Sequence, residues 1–257
     1  PDLKSGAFAH EFDIAAASLR ELIERTQFAI SNEETRYYLN GIYFHAVENS
    51  ASGNLFRAVA TDGHRMARAE IAAPAGAEGM HGIIVPKKTV GEVQKLLDGV
   101  DGDVKVEVSD TKIRFSVGTV VLLSKLIEGT FPDYDRVTPK NNEKQMLVDR
   151  AGFAIAVDRV STIASDRGGK AVKLAATNGL LELSVTNPDH GTASEEVAVD
   201  FDTEGFEIGF NARYLLDIIQ QIRSENAVFL FNDANSPTLV KEEGDANALY
   251  VLMPMRV

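Results

Sequence analysis

The order of apolar and polar positions divides the chain into many short alternating stretches and four longer ones with helical spacing. Phe12 to Ser31 reads as a helix. Ile14, Leu19, Leu22, Ile23, Phe28 and Ile30 fall mostly on one face, with Arg20, Glu21, Glu24 and Arg25 opposite. Asp13 is placed to cap it. Tyr37 to Val47 alternates and is rich in aromatic and β-branched residues, the pattern of a strand. Leu55 to Ala60 and Met66 to Ile71 are two more strands. The Asp-Gly of Thr61-Asp62-Gly63-His64-Arg65 marks the tight turn between them. Gly82 to Val85 is a short strand, and Pro86 opens a second helix at a favoured position. Val90, Val93, Leu96 and Leu97 form the apolar face of that helix, and Gly99 ends it. Val104 to Val108, Lys112 to Val117 and Val120 to Leu126 complete this half as strands.

The second half repeats the order. Met146 to Ser165 reads as a helix burying Phe153, Ile155, Ala156, Val160 and Ile163. Strands follow at Val172 to Ala176, Leu180 to Thr186, Ala193 to Asp200 and Phe206 to Phe210. The helix Asn211 to Arg223 comes next, and strands at Ala227 to Asn232, Thr238 to Glu242 and Ala248 to Leu252 end the chain. In both halves a short strand runs straight into the second helix, an Asn-Gly follows the first helix (Asn40-Gly41, Asn178-Gly179), and three short strands close the unit. So long a shared order implies a duplicated domain. The fold class is α+β: each copy has two helices packed on mostly antiparallel sheets. The polar stretch Pro139 to Gln145 is the expected boundary, with domains at 12–140 and 146–257. Residues 1–11 read as a linker from a preceding domain.

Composition narrows the function. The net charge of −12 argues against a protein that grips nucleic acid over its whole surface. The four helices are nonetheless mildly basic, through Arg20, Arg25, Lys87, Lys88, Lys95, Arg150, Arg159, Arg213 and Arg223. The acidic excess therefore falls on strands and loops. A shared basic helix face would hold a polyanion loosely; ordinary solvated helix surfaces are the alternative. With no cysteine, disulfides and thiolate sites are excluded, which fits a reducing cytoplasm. No apolar run approaches the ~20 residues that cross a bilayer, so no membrane is expected.

Catalytic signals are sparse. Phosphate-loop, dinucleotide-loop and nucleophile-elbow motifs are absent. His10, His45, His64, His81 and His190 lack metal-ligand spacing. Asp133 and Asp135 could bind a hard cation, but carboxylates in an aromatic loop are more commonly solvated or capping. No metal and no cofactor is expected. Asp62, His64 and Arg65 place an acid, a base and a cation together, which leaves a hydrolase as the alternative function. The plainer reading is a turn capped by Asp62, with Gly63 at positive φ and His64 and Arg65 pointing outward. The last residues, Val251 to Val257, are apolar and carry one cation. They form either an edge strand tucked onto its sheet or a wall of a groove lined by Met253 and Met255, flexible side chains suited to several partners.

Five segments then carry a family resemblance. They are Arg36-Tyr37-Tyr38-Leu39-Asn40-Gly41; Ala60-Thr61-Asp62-Gly63-His64-Arg65-Met66; Ser124-Lys125-Leu126 with Gly129-Thr130-Phe131-Pro132-Asp133-Tyr134; Ile208-Gly209-Phe210-Asn211; and Met253-Pro254-Met255-Arg256. In this order they resemble the bacterial DNA polymerase III β subunit family, the sliding clamps, in its middle and C-terminal domains. The resemblance implies a non-enzymatic processivity factor that encircles duplex DNA. It also implies docking of polymerase, clamp-loader and repair proteins through linear motifs in a hydrophobic groove. The residues so implied are Leu39, Thr61, Gly63, His64, Arg65, Met66, Pro132, Arg136 and Val137 on one side, and Tyr214, Val251, Met253, Pro254, Met255 and Arg256 on the other. Tyr37, Tyr38, Lys87 and Lys88 match DNA-facing positions, although Glu33 and Glu34 in the same loop would repel phosphate. The family closes a homodimeric ring through a first domain, so the two domains here are expected to form a monomer or a non-ring oligomer.

Overall fold

The computed structural model describes residues 7–51, 53–164, 171–203 and 205–257. The chain divides into two compact units after Pro132, ahead of the polar stretch Pro139 to Gln145. The first runs β1 (His10–Ala15), α1 (Ala16–Thr26), β2 (Gly41–Ser50), β3 (Gly53–Thr61), β4 (Arg65–Ala72), β5 (Ile83–Pro86), α2 (Lys87–Leu96), β6 (Asp103–Val108), β7 (Lys112–Val117) and β8 (Val120–Lys125). Short 3-10 turns at Gln27–Ala29 and Glu34–Leu39 link α1 to β2. The strands form two antiparallel sheets, ordered β1-β6-β7-β8 and β4-β3-β2-β5.

The second unit repeats this order as β9 (Lys144–Asp149), α3 (Arg150–Ser161), β10 (Ala171–Thr177), β11 (Leu180–Asn187), β12 (Gly191–Asp200), β13 (Phe206–Asn211), α4 (Ala212–Ile219), β14 (Asn226–Phe231), β15 (Thr238–Glu242) and β16 (Ala248–Leu252). Its sheets are β9-β14-β15-β16 and β12-β11-β10-β13, and β12 also pairs with β9 at Val199 and Asp200. The duplicated architecture read from the sequence is present, and each copy opens with one strand more than its apolar pattern showed, β1 and β9.

Both first helices are shorter than their apolar spacing predicts, for the same reason. Phe12 and Ile14 belong to β1, buried at every second position and paired in register with β6. Asp13 faces Lys105 across that pairing and does not cap α1, whose N-cap is Ala15 without a side-chain bond. Met146 and Val148 likewise lie in β9, and Asp149 caps α3 by accepting the Gly152 N–H at 2.6 Å. The predicted helix end at Ser165 lies outside the described residues. Residues 1–6 of the expected linker do too, while His10 and Glu11 belong to β1. Tyr37 and Tyr38 sit in a 3-10 turn rather than a strand, and β2 starts at Gly41. The last helix is α4, capped by Asn211 and ending at Ile219.

Arginines of each first helix tie down the end of the second. Arg20 on α1 donates to the carbonyls of Leu97 and Val100 beyond α2, and Arg150 on α3 donates to Ile222 beyond α4 at 3.3 Å. Backbone carbonyls in the turns that follow α2 and α4 thereby gain partners. Between the sheets and helices of the first unit, Phe12, Ile14, Phe44, Phe56 and Phe115 line a residual void of about 20 Å³. That volume is about one water, and the apolar lining keeps it dry.

Candidate functional site

On the first unit the turn joining β3 to β4 is built from its own polar side chains. Asp62 Oδ1 accepts the backbone N–H groups of His64 and Arg65 at 2.9 and 3.0 Å. The Thr61 hydroxyl donates to the Arg65 carbonyl at 2.7 Å and accepts the Gly63 N–H at 3.1 Å. Gly63 adopts φ +88°, where a side chain would be strained. Arg65 is buried rather than outward-pointing. Its Nε donates to Asp62 Oδ2 at 3.1 Å, its Nη2 donates to the Phe28 carbonyl at 2.9 Å, and its guanidinium lies 5.1 Å from the Phe28 ring centre. The Asp62 carboxylate is therefore committed to holding the turn. The geometry offers nothing to a hydrolase on Asp62, His64 and Arg65.

The other residues expected on this side differ in exposure. Gly63, His64 and Pro132 are at the surface and Thr61 is half-buried, while Leu39 and Met66 are buried beneath. Tyr37 is 54% exposed, and Lys87 and Lys88 stand exposed at the start of α2. The basic helix face is thinner than the residue count implies. Arg20 and Arg150 bind helix-end carbonyls, Arg25 is buried against Glu21, and Arg159 pairs with Glu195.

On the second unit, β16 pairs with β15 as far as Leu252, and the chain then leaves the sheet. Pro254 cannot extend the ladder. One residue later the Met255 N–H donates to the Gly209 carbonyl at 2.7 Å, so the tail crosses onto the free edge of β13. Gly209 permits this approach. A Cβ there would lie 2.6 Å from the Met255 carbonyl oxygen and 2.5 Å from Val257 Cγ1. Beside the tail opens a groove of about 490 Å³, lined by Pro254, Met255, Arg256, Val257, Glu207 to Gly209, Ala234 and Asn235.

Met253 is 39% exposed and Met255 half-buried, while Val251 and Leu252 are buried. The tail is thus both a sheet edge and a groove wall. Tyr214 is half-buried on α4. Arg136 and Val137 are exposed on the segment after Pro132, where Asp133 Oδ2 lies 2.8 Å from Arg136 Nε. No group of three or more His, Asp or Glu side chains placed to hold a metal ion occurs among the described residues.

Ala234 and Asn235 were not among the residues expected here. They ride on a turn built by Asp233, whose carboxylate accepts the Asn235 and Ser236 N–H groups at 2.8 Å and the Ser236 hydroxyl at 2.8 Å. These bonds hold the Asp233 carboxyl below its ordinary range, the Asn235 N–H contributing most.

Comparison with known proteins agrees along the whole chain. Residues 13–133 match the family model of the DNA polymerase III beta subunit, central domain, and residues 135–256 that of its C-terminal domain. The beta sliding clamp of Caulobacter vibrioides is 49% identical over 257 residues, covering 100% of this chain and 68% of that protein. That of Escherichia coli K12 is 34% identical over 258 residues, with the same coverage, 100% and 68%. The crystal structure of a sliding clamp from Bartonella birtlesii bound to griselimycin superposes with a TM-score of 0.97 at 53% identity, over 100% of this chain and 68% of that one.

Proposed function

Since the chain belongs to the DNA polymerase III beta subunit family, the sliding clamps, which are non-catalytic accessory subunits of the replicative polymerase, we propose that it docks partner proteins through short apolar peptides while enclosing duplex DNA. The observation that carries this reading is the tail. Met253 stands exposed, Pro254 and Met255 are half-buried against an open groove, and the Met255 N–H ties the tail to β13. Apolar walls supply affinity, and a few polar groups orient an extended peptide. The residues proposed to touch the peptide are Thr61, Gly63, His64, Arg65, Pro132, Arg136, Val137, Tyr214, Met253, Pro254, Met255 and Arg256, with Leu39, Met66 and Val251 supporting them from below. Griselimycin, bound by the Bartonella clamp, is proposed to compete for the same residues.

Tyr37, Tyr38, Lys87 and Lys88 are proposed to face DNA. Few phosphates would be neutralised, so direct affinity is weak and salt-sensitive, as suits a protein that slides. The two units alone are proposed to stay open in solution; a stable closed ring of this chain in sedimentation would contradict that. No helix among the described residues is long and apolar enough to cross a membrane, and the proposed place of action is the cytoplasm.

Titration calorimetry with a synthetic peptide copying the cognate polymerase's C-terminal tail tests the docking reading. One peptide per chain with a negative heat-capacity change is expected. Met255→Ala should weaken that peptide by about 1–2 kcal/mol. Equal affinity in the variant would remove Met255 from the site.

A further inference from the structure

The turn after β3 and the segment 31–40 are distant in sequence but clasped together. Arg36 Nη2 donates to the Asp62 carbonyl at 3.2 Å. Its Nη1 occupies the space over Gly63, 2.5 Å from where a Cβ would stand. Glu33 aims this side chain, accepting from Arg36 Nε at 2.7 Å. The hydrogen bond from Arg36 in turn holds the Glu33 carboxyl below its ordinary range. A second clasp runs from Arg65 in the turn to Phe28, at the start of the same connection.

The far end of the segment reaches the DNA-facing lysine. Asn32 Oδ1 accepts from Lys87 Nζ at 2.6 Å, and the Asn40 carbonyl accepts the Lys87 N–H at 2.9 Å. The Ser31 N–H donates to the Leu39 carbonyl at 3.1 Å and closes the segment on itself. Arg36 interrupts the 3-10 turn with φ −110° and ψ 52°, and Tyr37 is the next residue. The side chain that grips the turn therefore sits on the backbone joint that orients both tyrosines.

We propose that Arg36 is a positioning residue that couples the peptide-binding turn to the DNA-facing segment. This rests on the docking reading given above. A peptide seated on the turn holds the Asp62 carbonyl and Gly63 in place, which keeps the guanidinium in its clasp and orders Tyr37, Tyr38 and the Lys87 contacts. By linkage, duplex against the segment must strengthen peptide binding by the same factor. The clasp is a surface charge contact, so the factor is about threefold.

Hydrogen–deuterium exchange on the whole chain, with the polymerase-tail peptide as probe, tests the coupling. In the wild type the peptide is expected to slow exchange at 61–66 and also at 31–38, the part of the segment that stops short of Leu39 and the peptide site. In Arg36→Gln it should slow only 61–66, and Arg36→Lys should restore part of the second effect. Arg36 is half-buried and its clasp is a weak charge contact, so its variants should lower the unfolding temperature by no more than about 2–4 °C. Titrating a short synthetic duplex with and without peptide should show the threefold gain in the wild type and none in Arg36→Gln. Slowing at 61–66 without slowing at 31–38 would overturn the coupling alone, as would equal slowing at 31–38 in Arg36→Gln. Absence of slowing at 61–66 in the wild type would overturn the docking reading and the coupling with it.

Discussion

Gly209→Ala isolates the tail from the rest of the fold. The new methyl would stand 2.6 Å from the Met255 carbonyl oxygen and 2.5 and 2.8 Å from the two γ-methyls of Val257. One neighbour is backbone, so a side-chain rotation cannot absorb the overlap; the tail must lift. Lifting breaks the 2.7 Å bond from the Met255 N–H to the Gly209 carbonyl, a net loss of about 1 kcal/mol. The pairing of β13 with β10 lies on the opposite edge and is untouched. In a chain of this size the unfolding temperature should therefore fall by only about 2–4 °C. Peptide affinity should fall more, because Met253, Pro254 and Met255 move together. A loss of about 1–2 kcal/mol, roughly 5- to 30-fold in Kd, is expected. Fluorescence anisotropy with a labelled polymerase-tail peptide measures the affinity, and exchange at the Met255 amide reports whether the tail has lifted. A lifted tail with unchanged affinity would refute the assignment of the groove to peptide binding.

Phe131→Ala removes a buried ring stacked on Tyr43 at 4.7 Å with planes 2° apart, and should cost the first unit about 3 kcal/mol, read from its denaturant midpoint. Glu107 and Arg114 face each other across β6 and β7, and Arg114 holds the buried Glu107 carboxyl below its usual value of 4.5. The depressed pKa means the charged pair adds stability above the unfolded carboxylate range and loses it as pH falls through the folded value. Arg114→Gln should thus lower stability near neutral pH by about 1–3 kcal/mol and flatten the decline below pH 4.5, both measurable by thermal melts across pH.

The fold was most legible where two apolar residues of a strand were followed by a turn signal. The strands flanking Thr61–Arg65, and those flanking Asn178-Gly179, are of this kind. β1 and β9 were hidden because each runs directly into a helix, with no glycine or proline between. Phe12 and Ile14, or Met146 and Val148, fit helical spacing as readily as alternation. What decides them is pairing with β6 and β14, far along the chain. Tyr37 and Tyr38 misled for the opposite reason: aromatic residues favour strands on average, but this pair lies in a 3-10 turn whose segment is closed on itself by the Ser31 to Leu39 backbone bond. At the site, the tail and the Asp-Gly turn were readable as motifs. The burial of Arg65 against Phe28 was not, since the partner is remote in sequence. Ala234 and Asn235 had a readable signal, the aspartate-led turn at Asp233, which nothing in the sequence linked to the groove.

The duplication itself explains why a groove accompanies one tail crossing. In the first unit the Ile127 N–H donates to the Ile84 carbonyl at 2.9 Å, just as Met255 does to Gly209 in the second. Ile84 pairs with Tyr43 on β2, and Gly209 with Lys173 on β10, so Tyr43 and Lys173 occupy the same place in the repeat. Tyr43 offers a flat apolar face, and the unit's own Phe131 covers it. Lys173 instead pairs with Glu207 at 2.8 Å, which leaves a charged rim and no ring to receive a neighbouring segment. One backbone crossing is thus a closed internal joint in the first unit, and in the second it stands at the edge of an open groove whose lining mixes Ile208, Pro254, Met255 and Val257 with Glu207, Asn235 and Arg256. Replacing Lys173 and Glu207 together with Tyr and Gly, as at Tyr43 and Gly82, should raise the affinity of the second unit for aromatic-bearing peptides. A titration of the double variant that showed no such gain would mean that the open groove owes nothing to this pair.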